Sequence, residues 1–139
     1  MKAKLISTAI LALTIGNAVA ANPTENCIDL LASEPRLQVL ADKVALARST
    51  QASLVRVSDR TATEQERAAL TLWLEKRNQC YEAGDKQRRT EMKAPEIAFV
   101  RSVFVLQQRL VADLQGGRLT YAEFNRRRAE LAEVAKQEI

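Results

Sequence analysis

The 139-residue sequence predicts an all-α fold: a small helical bundle that ends in an antiparallel helical hairpin and carries one disulfide. Three observations predict it. Two Thr-x-x-Glu capping boxes, Thr63 to Glu66 and Thr120 to Glu123, open segments whose apolar residues recur at helical spacing. Strand-like alternation is almost absent. Two cysteines, Cys27 and Cys80, form an even pair far apart in the chain.

The first element is an export signal. Met1-Lys2-Ala3-Lys4 is a short positive start, Leu5 to Ile15 carries no charge, and Ala18-Val19-Ala20 gives the small-x-small pattern of a cleavage site between Ala20 and Ala21. The apolar run is short of the roughly 20 residues that span a bilayer. Residues 1–20 are therefore expected to be removed, leaving 21–139 as one domain in the periplasm with no stable membrane anchor. Cys27 follows Thr24-Glu25-Asn26, which is not a lipoprotein triplet.

In the mature chain, Thr24 to Ala32 reads as a short helix with Cys27, Ile28 and Leu31. Ser33 is the expected N-cap of a second helix, with Pro35 in its first turn and Leu37, Leu40, Val44 and Ala47 on one face. Ser, Thr and Asp are frequent from Arg48 to Ala62, which reads as a connector. Thr63 opens a helix carrying Ala69, Leu70, Trp73, Leu74, Cys80 and Tyr81, and Gly84 is expected to end it in a left-handed cap.

Asp85 to Ala94 is mildly basic, and Arg88 and Arg89 within it offer a patch for an acidic partner; a solvated connector or frayed helix is the alternative. Pro95 begins the most apolar helix, with Ile97, Val100, Phe104, Val111 and Leu114 in a stripe. Gly116-Gly117 ends that helix. The last helix turns Tyr121, Phe124, Leu131 and Ala135 inward, and the tight link makes 95–139 a hairpin. Gln107 and Arg128 fall at apolar positions of these helices. Arg128 is expected to bury its stem and lift its guanidinium to water, and Gln107 to find a hydrogen bond or the stripe's edge.

Cysteine usage agrees with export, because an even count in an oxidising space reads as a bridge. A closed loop of about 54 residues would stabilise by ~4 kcal/mol on the chain-entropy model. Two buried free thiols are the alternative.

The hairpin sequence Gly117-Arg118-Leu119-Thr120-Tyr121-Ala122-Glu123-Phe124-Asn125-Arg126-Arg127-Arg128-Ala129-Glu130-Leu131 resembles the C-terminal helical module of bacterial proteins called SHOCT. The resemblance implies an element that assists oligomerisation, with Tyr121, Phe124 and Arg128 on an interaction surface. As a whole the chain is similar to small exported helical proteins of Gram-negative bacteria.

Composition narrows the chemistry. There is no histidine, which removes the commonest general base and the commonest zinc ligand, and the two familiar histidine-activated nucleophile systems with them. Four glycines leave no Gly-rich phosphate loop. No catalytic residue, cofactor or metal is expected. Loss of Lys2 and Lys4 takes 21 basic residues to 19 against 17 acids, a net of +2, too weak a field to hold nucleic acid.

The leading expectation is thus a non-enzymatic periplasmic module that binds a protein partner or itself. One enzyme class needs no histidine or metal. Arg36-Leu37, Ala41 to Arg48 and Asp59-Arg60, with Gln108 as a late glutamine, are similar to the helical chorismate mutases, which act by Arg, Lys, Glu and Gln electrostatics. A periplasmic chaperone or enzyme inhibitor is the third reading.

Overall fold

The computed structural model describes residues 22–48 and 58–138, so the signal segment with Ala20 and Ala21, and most of the Ser/Thr-rich connector, lie outside the described residues. All regular structure among the described residues is helical, as the sequence predicts. None of these helices is long and apolar enough to cross a membrane.

The first helix, α1, spans Pro23–Leu30, with Asn22 accepting from the Thr24 and Glu25 amides as N-cap. It buries no residue fully, because its apolar positions are few. Besides its polar contacts with Arg48 and Arg88, two attachments hold it to the bundle. One is the Cys27–Cys80 disulfide, with S–S 2.03 Å and Cα–Cα 5.3 Å, which settles the pairing that the sequence left open. The other is close approach at Gly84, where a Cβ would lie 2.1 Å from Thr24 Oγ1. Gly84 has φ −91°, not the left-handed conformation expected, so its lack of a side chain serves packing and not backbone freedom.

The expected second helix is much shorter. Its only regular part is a 3-10 segment, Pro35–Leu40, capped by Glu34 and not by Ser33. Beyond it, residues 41–48 run irregularly while Val44, Ala45, Leu46 and Ala47 are buried. The carbonyls there are used elsewhere: Asn125 Nδ2 donates to Lys43 O at 2.9 Å and an Arg128 Nη1 donates to Ala45 O at 2.7 Å. Side chains of the last helix replace the intrahelical bonds, which satisfies buried carbonyls equally well.

The central helix is α2, Glu64–Ala83, opened by the predicted capping box at Thr63. It packs against α1, the 3-10 segment and the long helix over Ala94–Gln115. Its inner face of Ala69, Leu70, Trp73 and Cys80 meets Leu37, Leu40 and Leu114 in the core. The basic stretch after Gly84 is a separate short helix, α3, Asp85–Glu91. Then α4, Ala94–Gln115, and α5, Tyr121–Gln137, form the predicted hairpin. Gly117 makes its turn at φ +73°, with Arg118 N donating to Asp113 O and Gly117 N to Leu114 O, a Schellman closure. Tyr121 and Phe124 are fully buried, and Phe124 meets Trp73 edge to face at 6.3 Å.

Candidate functional site

A cleft of about 420 Å3 lies between α1, α3, α4 and α5, with Arg77 and Tyr81 of α2 on its lining. Its apolar wall comes from Ile28, Met92, Phe99, Val100, Val103 and Ala132. Of these, Val100 and Val103 belong to the helical-period stripe of α4, while Ile28 comes from α1, Met92 from the end of α3 and Ala132 from α5. Across from them stand four arginines, Arg48, Arg77, Arg88 and Arg128.

Only one of the four is neutralised. Arg48 lies at the exposed edge and pairs with Glu25 at 2.7 Å and Asp29 at 2.8 Å. Among the described residues, no carboxylate is in ion-pair contact with Arg77, Arg88 or Arg128. Arg77 is 2% exposed, with Nε donating to Gln108 Oε1 at 2.8 Å and Nη2 to Gln107 Oε1 at 2.9 Å. Gln107 thus takes the hydrogen bond that its apolar position required. Arg128 donates to Ala45 O, and both guanidinium carbons stand 5.4 Å from the Trp73 ring centroid. Arg88 donates to Thr24 Oγ1 at 2.8 Å and to Tyr81 O, and lies 3.8 Å over the Tyr81 ring, while its Nε is buried without an acceptor.

The electrostatics follow from this arrangement. Burial, with the nearby Arg128 charge, lowers Arg77 to about 9, and burial alone lowers Arg128 to about 10. Both remain cationic at neutral pH. Two like charges held in a partly dry site, each with N–H donors to spare, form a region of surplus positive potential that an anion would relieve. The two carboxylates on the cleft, Glu25 and Glu91, do not reach it: one is committed to Arg48 and the other is exposed and accepts from Gln87.

The sequence-predicted residues separate here. Arg88 and Arg128 come together at the cleft. Arg128 is partly exposed, and its guanidinium, expected to stand free in water, donates to Ala45 O beside the rings of Trp73 and Phe124. Arg89 points away, exposed and paired with Asp85 at 2.5 Å. Tyr121 and Phe124 belong to the core of this one chain and present no surface, which corrects their assignment to an interaction face; the exposed large apolar residues of the hairpin are Val105, Leu106 and Val134.

The chorismate-mutase-like set is dispersed. Arg48 borders the cleft, Gln108 holds Arg77 from behind and also donates to Asn78, but Arg36 pairs with Glu34 on another face. Arg60 belongs to a second charged group. There Glu66, 3% exposed, receives Arg60 at 2.7 Å, the Thr63 amide at 2.8 Å and Lys43 at 3.6 Å. Arg60 above all holds Glu66 down to about 2 against its desolvation. The buried Tyr121 hydroxyl has no hydrogen bond of normal geometry, and burial together with the Glu66 charge pushes its ionisation up.

Arg77 is the residue that sequence reasoning missed. The signal was present: Leu70, Trp73, Arg77 and Cys80 follow at helical spacing, so a cation occupies a position of the buried stripe.

Among the described residues, no group of three or more His, Cys, Asp or Glu side chains is placed to hold a metal ion. Comparison with protein-family models, curated proteins and solved structures finds no match to this chain.

Proposed function

We propose that this chain is an exported, non-enzymatic binding protein, that its working surface is the cleft between α1, α3, α4 and α5, and that what it binds there is negatively charged. One observation carries the reading: Arg77, Arg88 and Arg128 surround a cleft with an apolar wall, and no described carboxylate neutralises them. Charges in such a setting are costly to the fold unless paired, so their presence argues for a partner that is not part of the chain. Export is supported by the Cys27–Cys80 disulfide, a bond that persists in oxidising compartments.

The test is anion binding to the folded, disulfide-bonded protein at fixed ionic strength. Titration with benzoate should raise the unfolding temperature saturably. The rise should vanish in Arg128→Met and persist in Arg89→Met, whose side chain lies outside the cleft. An equal rise in both variants would place the effect elsewhere on the surface and remove this reading. Cell fractionation followed by mass determination tests export separately, with a periplasmic chain beginning at Ala21 as the expected product.

The cleft's arginines with Gln107 also favour a second reading, since catalysis by the chorismate mutase type needs only such groups. It is tested by conversion of chorismate to prephenate, and no turnover by the folded protein removes it.

A further inference from the structure

We infer that the ligand of this cleft is a single-headed anionic amphiphile of the fatty-acid class, its carboxylate seated between Arg77 and Arg128 and its chain lying along Phe99, Val100, Val103 and Ala132. The inference rests on the reading that the cleft is the working surface, and it goes further by naming what fills it.

Depth gives the first argument. The unpaired cations lie deeper than the rim: Arg77 is 2% exposed, Arg88 7% and Arg128 partly exposed, whereas the rim arginine, Arg48, is more than half exposed and already neutralised by Glu25 and Asp29. A carboxylate on a folded partner's surface would meet Arg48 first and would not reach the floor. A slender chain ending in a carboxylate can.

Wall chemistry gives the second. Opposite the cations the lining is aliphatic and aromatic, with Met92 as a deformable element. The Phe104 ring is already stacked on Tyr81 at 4.3 Å, so it is poorly placed to receive a nucleobase or other flat ring. A hydrocarbon chain asks only for apolar surface. The volume, about 420 Å3, lies in the range of small-molecule sites.

Charge count gives the third. Arg77 spends two donors on Gln107 and Gln108, and Arg128 one on Ala45 O, so each keeps N–H groups for an incoming oxygen. One carboxylate with two oxygens can accept from both at once and screen their mutual repulsion. Gln107 and Gln108 fix the Arg77 guanidinium before the ligand arrives, which reduces what must be ordered on binding.

Trp73 supplies the readout. It is the single tryptophan of the chain and lies against both guanidinium groups, so an anion between them should change its emission. The experiment titrates the disulfide-bonded protein with decanoate below its micelle concentration, following Trp73 emission and heat. The comparison ligands are decan-1-ol, decyltrimethylammonium and acetate, with an N-acetylated apolar tripeptide as a chain end of another kind.

Decanoate is expected to bind in a saturable one-to-one manner, about tenfold or more tighter than the alcohol or acetate, with no response to the cation. Arg128→Met should bring decanoate down to the level of the alcohol, and Arg89→Met should change nothing. Equal binding of decanoate and decan-1-ol would overturn the inference, as would tighter binding of the tripeptide. Should Arg128→Met not fold, the ligand series on the unaltered protein decides alone. Benzoate binding without decanoate binding would sink the amphiphile and leave the anion cleft standing; failure of both ligands would remove the two together.

Discussion

The chain carries two largely buried charged groups, one around Glu66 and one around Arg77, and treats them differently. Around Glu66 every charge is answered: Arg60 and Lys43 face the carboxylate, the Thr63 amide donates to it, and the acid is held at about 2. Around Arg77 the charges are of one sign. Arg77 and Arg128 are each pulled below the usual arginine range, and no described carboxylate forms an ion pair with either. The first group is a joint, tying residues 58–66 to the segment at Lys43. The second costs the fold free energy in the absence of a ligand, which is how binding sites differ from structural ion pairs.

The largest effect should come from breaking the joint. Glu66→Ala leaves Arg60 without its acid and the half-buried Lys43 with Asp42 alone, and it deletes one half of the capping box, a combined loss of about 3–5 kcal/mol. Urea unfolding at neutral pH measures it, and a loss under about 1 kcal/mol would mean that the joint holds little. The same group has a pH signature. Its folded value lies below the unfolded one, so its contribution is complete above about 4.5 and disappears as pH falls through about 2. Stability should fall across that window by about 2–3 kcal/mol more in the wild type than in Glu66→Gln.

Next in size is the disulfide, which acts on one group and not the other. Helix α1 lines the cleft through Thr24, Glu25 and Ile28, whereas none of its residues touches Glu66. The Cys27→Ser/Cys80→Ser double variant should lose about 2–4 kcal/mol of global stability. Because α1 has no fully buried residue to hold it, anion binding should weaken as well, while the acid-dependent loss assigned to Glu66 keeps its midpoint. Retention of full anion affinity in the variant would show that α1 is not a functional wall.

How much of this was legible from the residues differs between the two groups. The capping box at Thr63 declares Glu66 outright, because its spacing is itself the mechanism. Helices α2, α4 and α5 and the hairpin turn follow from periodicity and capping, and the even cysteine count points to the bridge that the structure contains. The failures share a cause. Residues 41–48 carry helical spacing but surrender their carbonyls to Asn125 and Arg128, more than 80 residues away, a tertiary override that no local pattern encodes. The periodicity of α5 places Tyr121 and Phe124 correctly on an inner face, yet in this chain that face packs against Trp73 from α2 and is fully buried within the one chain. Arg77 was visible as a cation in an apolar stripe. Its meaning was not, since only the fold shows that Gln107 and Gln108 orient it and that no acid answers it.

The smallest expected change in stability is also the sharpest test of the contrast. Arg128→Met keeps an unbranched apolar stem and most of the side-chain volume, though it ends two atoms shorter, while removing the charge. It loses a hydrogen bond to Ala45 O, about 1 kcal/mol, and the contacts of the cation with the Trp73 and Phe124 rings, about 0.5–1 kcal/mol each. Against these losses stand the end of a desolvated charge and of its repulsion with Arg77, which the depressed ionisation of both groups reports. The terms are comparable, so the variant should stay within about 1 kcal/mol of the wild type by urea unfolding. A loss of 3 kcal/mol or more, matching Glu66→Ala, would make Arg128 a second joint. The arginines would then be explained by the fold alone, and the case for a missing anion would have to rest on ligand binding without support from stability.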